Sequence, residues 1–346
     1  MNLNETLTGM QHNKKTYVNY KNTFVWGVNG IPFSSRTTND DKFFARYGKL
    51  TREPLPWREE CIATAKLIYE EANGEIPIIF FSGGMDSQVV AEAFRLSGVP
   101  FKVVTVRLND SWNWHDMRFA VDWCYEYNIE QIILDIDVIK FWENNAWDYG
   151  APVQSWSPQF CVVSWAIDQV DGFPIIAYGE ADLIRNKKIP TRAWDIDTEM
   201  LRVQERYLLY KNRNGAGSFF KYTPELKVSQ LLEDETVKFV NNKYTDTALQ
   251  YHKNEIYRSY FPNLVARPAI TSKWRKGRAY TDYNGFEFMP TYALEAEEKL
   301  RVELQQNFGH IDEICTDYDE QMKILTKGYE YLYANLQKKR KVLIND

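Results

Sequence analysis

Paired cysteines are missing from this chain. Cys61, Cys124, Cys161 and Cys315 stand far apart, with no C-x-x-C pair and no histidine at zinc-site spacing. That excludes both a metal ribbon and a disulfide scaffold. Histidine is equally scarce, and His12, His115, His252 and His310 show neither triad nor metal spacing,. No apolar run approaches the length of a membrane span. The opening MNLNETLTGMQHNKK has no apolar stretch behind a basic one, so the expected setting is the cytoplasm or a similar compartment, with no membrane partner. Basic charge is in slight deficit: 42 Lys and Arg against 47 Asp and Glu give a net charge of -5. Attraction for a polyanion must therefore be local. Repeats and low-complexity linkers are absent.

What is present describes a folded chain. Across 346 residues, 44% are apolar and 26% charged, close to globular averages and enough for one large domain or two. The 11 Trp and 22 Tyr read as a large aromatic core and surface rather than a ligand cage. TFVWGVNGIPF places β-prone residues around Asn29-Gly30, a dipeptide suited to a tight hairpin,. WREECIATAKLIYEEA, residues 57 to 72, has the spacing of one apolar helix face, ended by Asn73-Gly74,.

From there the pattern alternates. Strands are predicted over 76–81, 101–108, 130–136 and 173–177, with helices over 86–96, 115–127 and 159–170 between them,. Such alternation implies an α/β fold: a parallel sheet with helices on both faces and ligands beyond the C-terminal strand ends. After about residue 190 it fades into a mainly helical region. Thr223-Pro224 opens one helix there, and two longer ones are predicted over 291–307 and 317–338,. The domain expectation is an N-terminal extension with a hairpin (1–56), a nucleotide-type unit (57–190) and a helical substrate or lid region (191–346).

The turn SGGMDS, residues 82 to 87, joins a buried strand to a helix. Gly83 and Gly84 permit close approach to the main chain. The following helix offers unpaired N–H groups and the positive end of its dipole. Ser82 and Ser87 add hydroxyl donors, and Asp86 suits a magnesium ion bridging phosphate oxygens. The turn lacks the lysine of the P-loop and is not a G-x-G-x-x-G fingerprint.

SGGMDS resembles the SGGxDS signature of the PP-loop, or N-type, ATP pyrophosphatase superfamily. The resemblance implies an adenine nucleotide alpha hydrolase-like fold, ATP and Mg²⁺ as cofactors, and cleavage of ATP between the α and β phosphates. An adenylated substrate and pyrophosphate would result. Over roughly 57–185 the order of segments is similar to the synthetase domain of asparagine synthetases. That similarity implies adenine flanked by Phe80 and Val106, and backbone contacts from Ala177 and Tyr178. In YGEADL, Asp182 falls on the family's second magnesium aspartate beside Asp86. Glu180 stands one position from the family's glutamate in GEGADE, and Leu183 replaces its final acid.

ITSKWRKGRAY gathers Lys273, Arg275, Lys276 and Arg278 around Trp274. Lys273 or Lys276 matches the family's C-terminal lysine at the pyrophosphate, where a leaving anion needs cationic stabilisation. Arg185, Lys187, Lys188 and Arg192 form a second basic stretch. Asn2 stands where a glutaminase domain carries its cysteine nucleophile, so an ordinary asparagine synthetase is not expected. The expected partners are a small-molecule carboxylate or amide-like substrate with ammonia or an amine. The expected reaction activates a carboxylate or carbonyl oxygen for C–N bond formation, with Asp86, Glu180, Lys273 and Lys276 as its catalytic residues. Two rivals stand beside it: an enzyme modifying a nucleic-acid base by the same adenylation, and a non-catalytic nucleotide-binding scaffold.

Overall fold

In a computed structural model of the chain, the described residues are 23–26, 31–32, 43–46, 51–178, 183–185, 193–195, 203–233, 253–265, 270–271, 279–280 and 290–308. The N-terminal strands β1 (Thr23–Trp26) and β2 (Ile31–Pro32) pair antiparallel, Trp26 opposite Ile31. This is the pairing expected around Asn29-Gly30, although those two residues lie outside the described set. A strand not anticipated, β3 (Phe43–Arg46), takes the other edge of β1.

The main sheet follows from four apolar segments. The helix α1 (Trp57–Glu71) precedes β4 (Pro77–Phe80), α2 (Met85–Ser97), β5 (Lys102–Leu108), α3 (Trp114–Tyr127) and β6 (Gln131–Ile136). After β6 come two short helices absent from the sequence reading, α4 (Val138–Asn144) and α5 (Ala146–Gly150). Then follow α6 (Pro158–Asp168) and β7 (Phe173–Ile176). The four strands are parallel in the order β6-β5-β4-β7. β4 and β7 read PIIF and FPII, the near-continuous apolar type of strands buried on both faces,.

That order makes β4 the strand where the winding reverses, since β5 and β6 lie to one side and β7 to the other. Right-handed crossovers then require α2 and α3 on one face and α6 on the opposite face. The core divides accordingly. Ile79, Phe81, Val103, Phe173 and Ile175 pack with residues of α1, α2 and α3, among them Ala65, Phe94 and Ala120. Phe80 and Ile176 pack on the other face with Ile167 of α6 and with Val203 and Tyr207 of α7 (Val203–Tyr210). Leu108 and Ile136, farther along β5 and β6, meet Phe141, Trp142 and Val162.

Beyond β7 the chain forms two short strands not anticipated, β8 (Leu183–Arg185) and β9 (Ala193–Asp195), paired antiparallel; only β9 falls in the 191–346 region expected to be mainly helical. The residues before α8 (Pro224–Leu232) return to the sheet edge. Ile176 N–H donates to Ala216 O (2.8 Å), and Phe220 N–H donates to Tyr178 O (3.1 Å). The Arg213 side chain donates to the carbonyls of Val170 (2.5 Å), Gly172 (2.8 Å) and Ile167, fixing the turn that enters β7. Thr223 caps α8 through its side chain with Pro224 at the first helical position, as its sequence predicts,. The chain continues through α9 (Lys253–Tyr260), the paired short strands β10 (Ile270–Thr271) and β11 (Ala279–Tyr280), and α10 (Pro290–Phe308). α10 matches the helix expected over 291–307; the one expected over 317–338 lies outside the described residues. Among the described residues no helix is long and apolar enough to cross a membrane.

Trp57 ties this return path to the sheet unit. It is fully buried, with ring centroids 4.9 Å from Tyr257, 5.6 Å from Tyr260, 5.7 Å from Phe261 and 6.1 Å from Phe220. Its backbone N–H donates to Glu233 Oε1 at 2.6 Å. Trp57→Ala is expected to lower unfolding free energy by about 3–5 kcal/mol, the range for emptying a packed aromatic site. Urea unfolding followed by far-UV circular dichroism checks this; a loss below about 1 kcal/mol would mean the cluster does not hold the two parts together.

Candidate functional site

The 82–87 turn leaves β4 at its C-terminal end, between the strands that diverge from it. In open α/β sheets that crevice is where ligands bind. Phe81 N–H still donates to Val104 O (2.8 Å), and Thr105 Oγ1 donates to Phe81 O (2.9 Å). Gln131 Nε2 in turn donates to Thr105 Oγ1 at 2.8 Å. The base of the turn is thus held from β5 and β6.

Gly83 has φ +92°, and a Cβ built there would lie 2.3 Å from the carbonyl oxygen of Asp116 and 3.4 Å from Phe119 Cβ. Only glycine fits, because the turn passes directly beneath the first turn of α3. Gly84, in extended conformation, is the N-cap of α2 and contributes no side-chain cap. The first-turn N–H groups of Met85, Asp86 and Ser87 therefore fall outside the helical ladder. Ser82 Oγ accepts from Gly84 N–H (3.2 Å) and lies 3.3 Å from Ser87 Oγ, while Ser87 Oγ donates to Gly84 O (2.8 Å). Ser82 is exposed, Gly83, Gly84 and Ser87 are buried, and Asp86 is half-buried. The turn therefore gathers two hydroxyl groups, helix-end N–H groups and one half-buried carboxylate within six residues at the end of β4.

The remaining expected positions divide. Phe80 and Val106 point to the same sheet face, since Phe80 is in register with Val104, two residues before Val106. Both are half-buried. Tyr178 is also half-buried and meets Phe160 edge-on at 5.7 Å. Phe80, Phe160 and Tyr178 border one apolar cluster at this end of the sheet. Ala177 packs into the core on the opposite face. The Tyr178 carbonyl already accepts from Phe220 N–H. Glu180, Asp182, Lys273 and Lys276 lie outside the described residues, as do Lys187, Lys188 and Arg192; of Arg185 only the backbone in β8 is described.

Three features escaped the sequence reading. Gln88, nearly fully buried, donates from Nε2 to Gly83 O (2.8 Å) and to Val265 O (3.0 Å), and its Oε1 accepts from Val265 N–H (2.9 Å). A glutamine set against Val89 and Val90 in a core helix is a visible signal, because buried amides need partners. Asp116, also buried, sits where the turn passes α3. Trp112 and Trp114 stand 40% and 48% exposed where β5 leads into α3 at the same sheet end. Asn113 between them is buried, donating to Val106 O and accepting from Leu108 N–H, both at 2.9 Å.

Among the described residues no group of three or more His, Cys, Asp or Glu is arranged to hold a metal ion. Cys61, Cys124 and Cys161 are buried in three different helices. Burial pushes the Cys124 and Cys161 thiols up to about 12 and Cys61 well above its ordinary value. These thiols stay protonated, whereas metal ligation and sulfur transfer need thiolate.

No family model matches the chain, and no curated protein matches it. Among solved structures it is matched to the U34-tRNA thiolase NcsA from Methanococcus maripaludis, determined with its 4Fe-4S cluster. The identity is 13% over 86% of this chain and 88% of that one, with a TM-score of 0.29. The α/β sheet with helices on both faces is the fold expected from the sequence, and the placement of the 82–87 turn agrees with it. The expectation of a small-molecule carboxylate or amide-like substrate with ammonia or an amine is corrected: the protein matched is, by its title, one of tRNA.

Gly83→Ala combines an unfavourable φ with a clash against immovable backbone, and is expected to cost about 2–4 kcal/mol. Thermal unfolding of the variant measures this. A melting temperature equal to wild type would show that the turn does not pack beneath α3 as described.

Proposed function

We propose that the chain is an ATP-dependent adenylating enzyme that opens ATP between its α and β phosphates. The observation that carries this reading is the Ser82–Ser87 turn: an uncapped helix start with two hydroxyl groups, placed where the sheet's winding reverses,. Ser82, Gly83, Gly84 and Ser87 cradle the β and γ phosphates. Phe80 and Val106 border the adenine, with Tyr178 beside them. Asp86, together with Asp182, would hold Mg²⁺, which supplies charge neutralisation on the phosphate oxygens.

In the reaction an acceptor oxygen attacks the α phosphorus, the bond from that phosphorus to the bridging oxygen breaks, and pyrophosphate leaves. The chain contributes position and electrostatics rather than a nucleophile. Lys273, Lys276 and Glu180 are the sequence's candidates for the pyrophosphate and for proton transfer. The 57–190 unit carries the nucleotide, and the acceptor is received between it and the 191–346 region.

The acceptor we favour is the carbonyl oxygen of a nucleic-acid base. Exposed Trp112 and Trp114 at the mouth offer stacking surface, and the Lys273–Arg278 stretch offers phosphate-binding charge around Trp274,. A scaffold that binds ATP without turning it over is the competing reading, supported by the departure of YGEADL from the acidic motif.

Incubation of the full chain with ATP labelled at the α phosphate and an RNA pool is expected to release AMP and pyrophosphate. Asp86→Ala should reduce that release by about 100-fold or more, as loss of a metal-holding carboxylate does at phosphoryl-transfer sites. Unchanged turnover in Asp86→Ala would sink the site assignment. ATP binding with no AMP under any acceptor would favour the scaffold. In the same assay, Trp112→Ala combined with Trp114→Ala should raise the acceptor KM by about 10-fold or more while leaving ATP affinity intact, since each base stack contributes roughly 1–3 kcal/mol. An unaltered acceptor KM would remove the tryptophans from the acceptor path.

A further inference from the structure

Gln88 stands on the first turns of α2, on the side of the phosphate turn facing away from the mouth. It is nearly fully buried, whereas Ser82 on the opposite side is exposed. Between them lies a single peptide group, the one joining Gly83 to Gly84. Its carbonyl accepts from Gln88 Nε2 at 2.8 Å, and its N–H donates to Ser82 Oγ at 3.2 Å. In a planar trans peptide these two groups point in opposite directions. Whatever fixes the carbonyl therefore fixes the N–H.

Flanking glycines make this peptide easy to rotate, because Gly83 at φ +92° carries no Cβ to resist a flip,. A flip would withdraw the Gly84 N–H from the mouth and turn a carbonyl oxygen towards the phosphates. One donor would then become one acceptor, opposed to an anion. Local side chains other than Gln88 do not oppose this: Ser82 Oγ is itself able to donate to a carbonyl.

Gln88 is held in turn by two further bonds, to Val265 O at 3.0 Å and from Val265 N–H at 2.9 Å. Its amide is thus oriented with Nε2 towards Gly83, and an inverted amide would place two acceptors against each other. Val265 follows Phe261 and Leu264, which are buried in the core that contains Trp57. The orientation of the amide is therefore set by tertiary packing and not by the turn alone.

We infer that Gln88 is a positioning residue for phosphate: by holding the Gly83 carbonyl inward it keeps the Gly84 N–H on the Ser82 side of the turn, where a bound pyrophosphate group would share it with Ser82 Oγ. The inference rests on the phosphate-turn reading given above and adds to it a residue outside the SGGMDS signature. It touches neither nucleotide nor metal.

The test is calorimetric titration of the full chain with pyrophosphate, ATP and adenosine. Wild type is expected to bind all three. Gln88→Met, which keeps length but removes the amide, should weaken pyrophosphate and ATP by about 10-fold or more, the scale of one hydrogen bond to a charged group. Its adenosine affinity should stay within about 2-fold of wild type, a split that general unfolding would not produce. Val265→Pro removes the N–H that Gln88 Oε1 accepts and also fixes φ there, so it loosens the orientation of the amide; its pyrophosphate affinity should fall between those of wild type and Gln88→Met,. Equal pyrophosphate binding by wild type and Gln88→Met overturns the inference alone. So does a parallel loss of adenosine affinity, which makes Gln88 a plain strut. A wild-type chain that binds neither ATP nor pyrophosphate overturns the phosphate-turn reading, and this inference falls with it.

Discussion

The close approach of Gly83 to the Asp116 carbonyl is the constraint around which the C-terminal end of the sheet is arranged. The turn leaving β4 has no room for a side chain beneath α3, so its path is fixed by helix packing before any ligand is considered. That path places the start of α2, uncapped, at the strand where the winding reverses. The tether from Thr105 and the amide of Gln88 then hold the turn from below and behind. An anion site made of backbone needs such fixing, because hydrogen-bond donors that reorganise on binding lose part of their advantage to that reorganisation.

Much of the fold was legible in the sequence because parallel strands buried on both faces leave short apolar runs with helical patterns between them. PIIF, KVVTVRL, QIILDI and FPII all formed strands within a residue or two of the expected limits. Thr223-Pro224 opened its helix by local cap chemistry alone. What was missed lacked a local signal. The helices α4 and α5 sit in a stretch of tryptophans and asparagines without a clean period, and their stability comes from packing on Leu300 and Leu304, far away in sequence. The short β8–β9 pair is likewise a pairing between strands of three residues, too brief for any periodicity to show.

At the candidate site the same division holds. SGGMDS stood out because glycines, hydroxyls and a carboxylate at a strand-to-helix turn are what an anion cradle would need, and backbone geometry requires the glycine at 83,. Gln88, Thr105 and Asn113 did not, because each works through one partner that the sequence does not place beside it: Gly83, Phe81 and Val106. Trp112 and Trp114 were counted among the aromatics expected in the core and surface as a whole. Only the fold separates them from the buried tryptophans Trp57, Trp142 and Trp156.

The two glycines of the signature consequently carry unequal information. Gly83 is required by φ and by the Asp116 carbonyl whether or not a phosphate ever binds. Its presence is explained by packing, and a chain that had lost all activity would still need it to keep this fold. Gly84 has ordinary extended torsions at a helix cap, a position where Ser, Thr or Asp would stabilise the helix by bonding its first N–H groups,. A residue that leaves those groups uncapped at the mouth of a sheet crevice forgoes that stabilisation. An anion that accepted the same hydrogen bonds would restore that balance, which is what the proposed phosphate cradle asks of Gly84,.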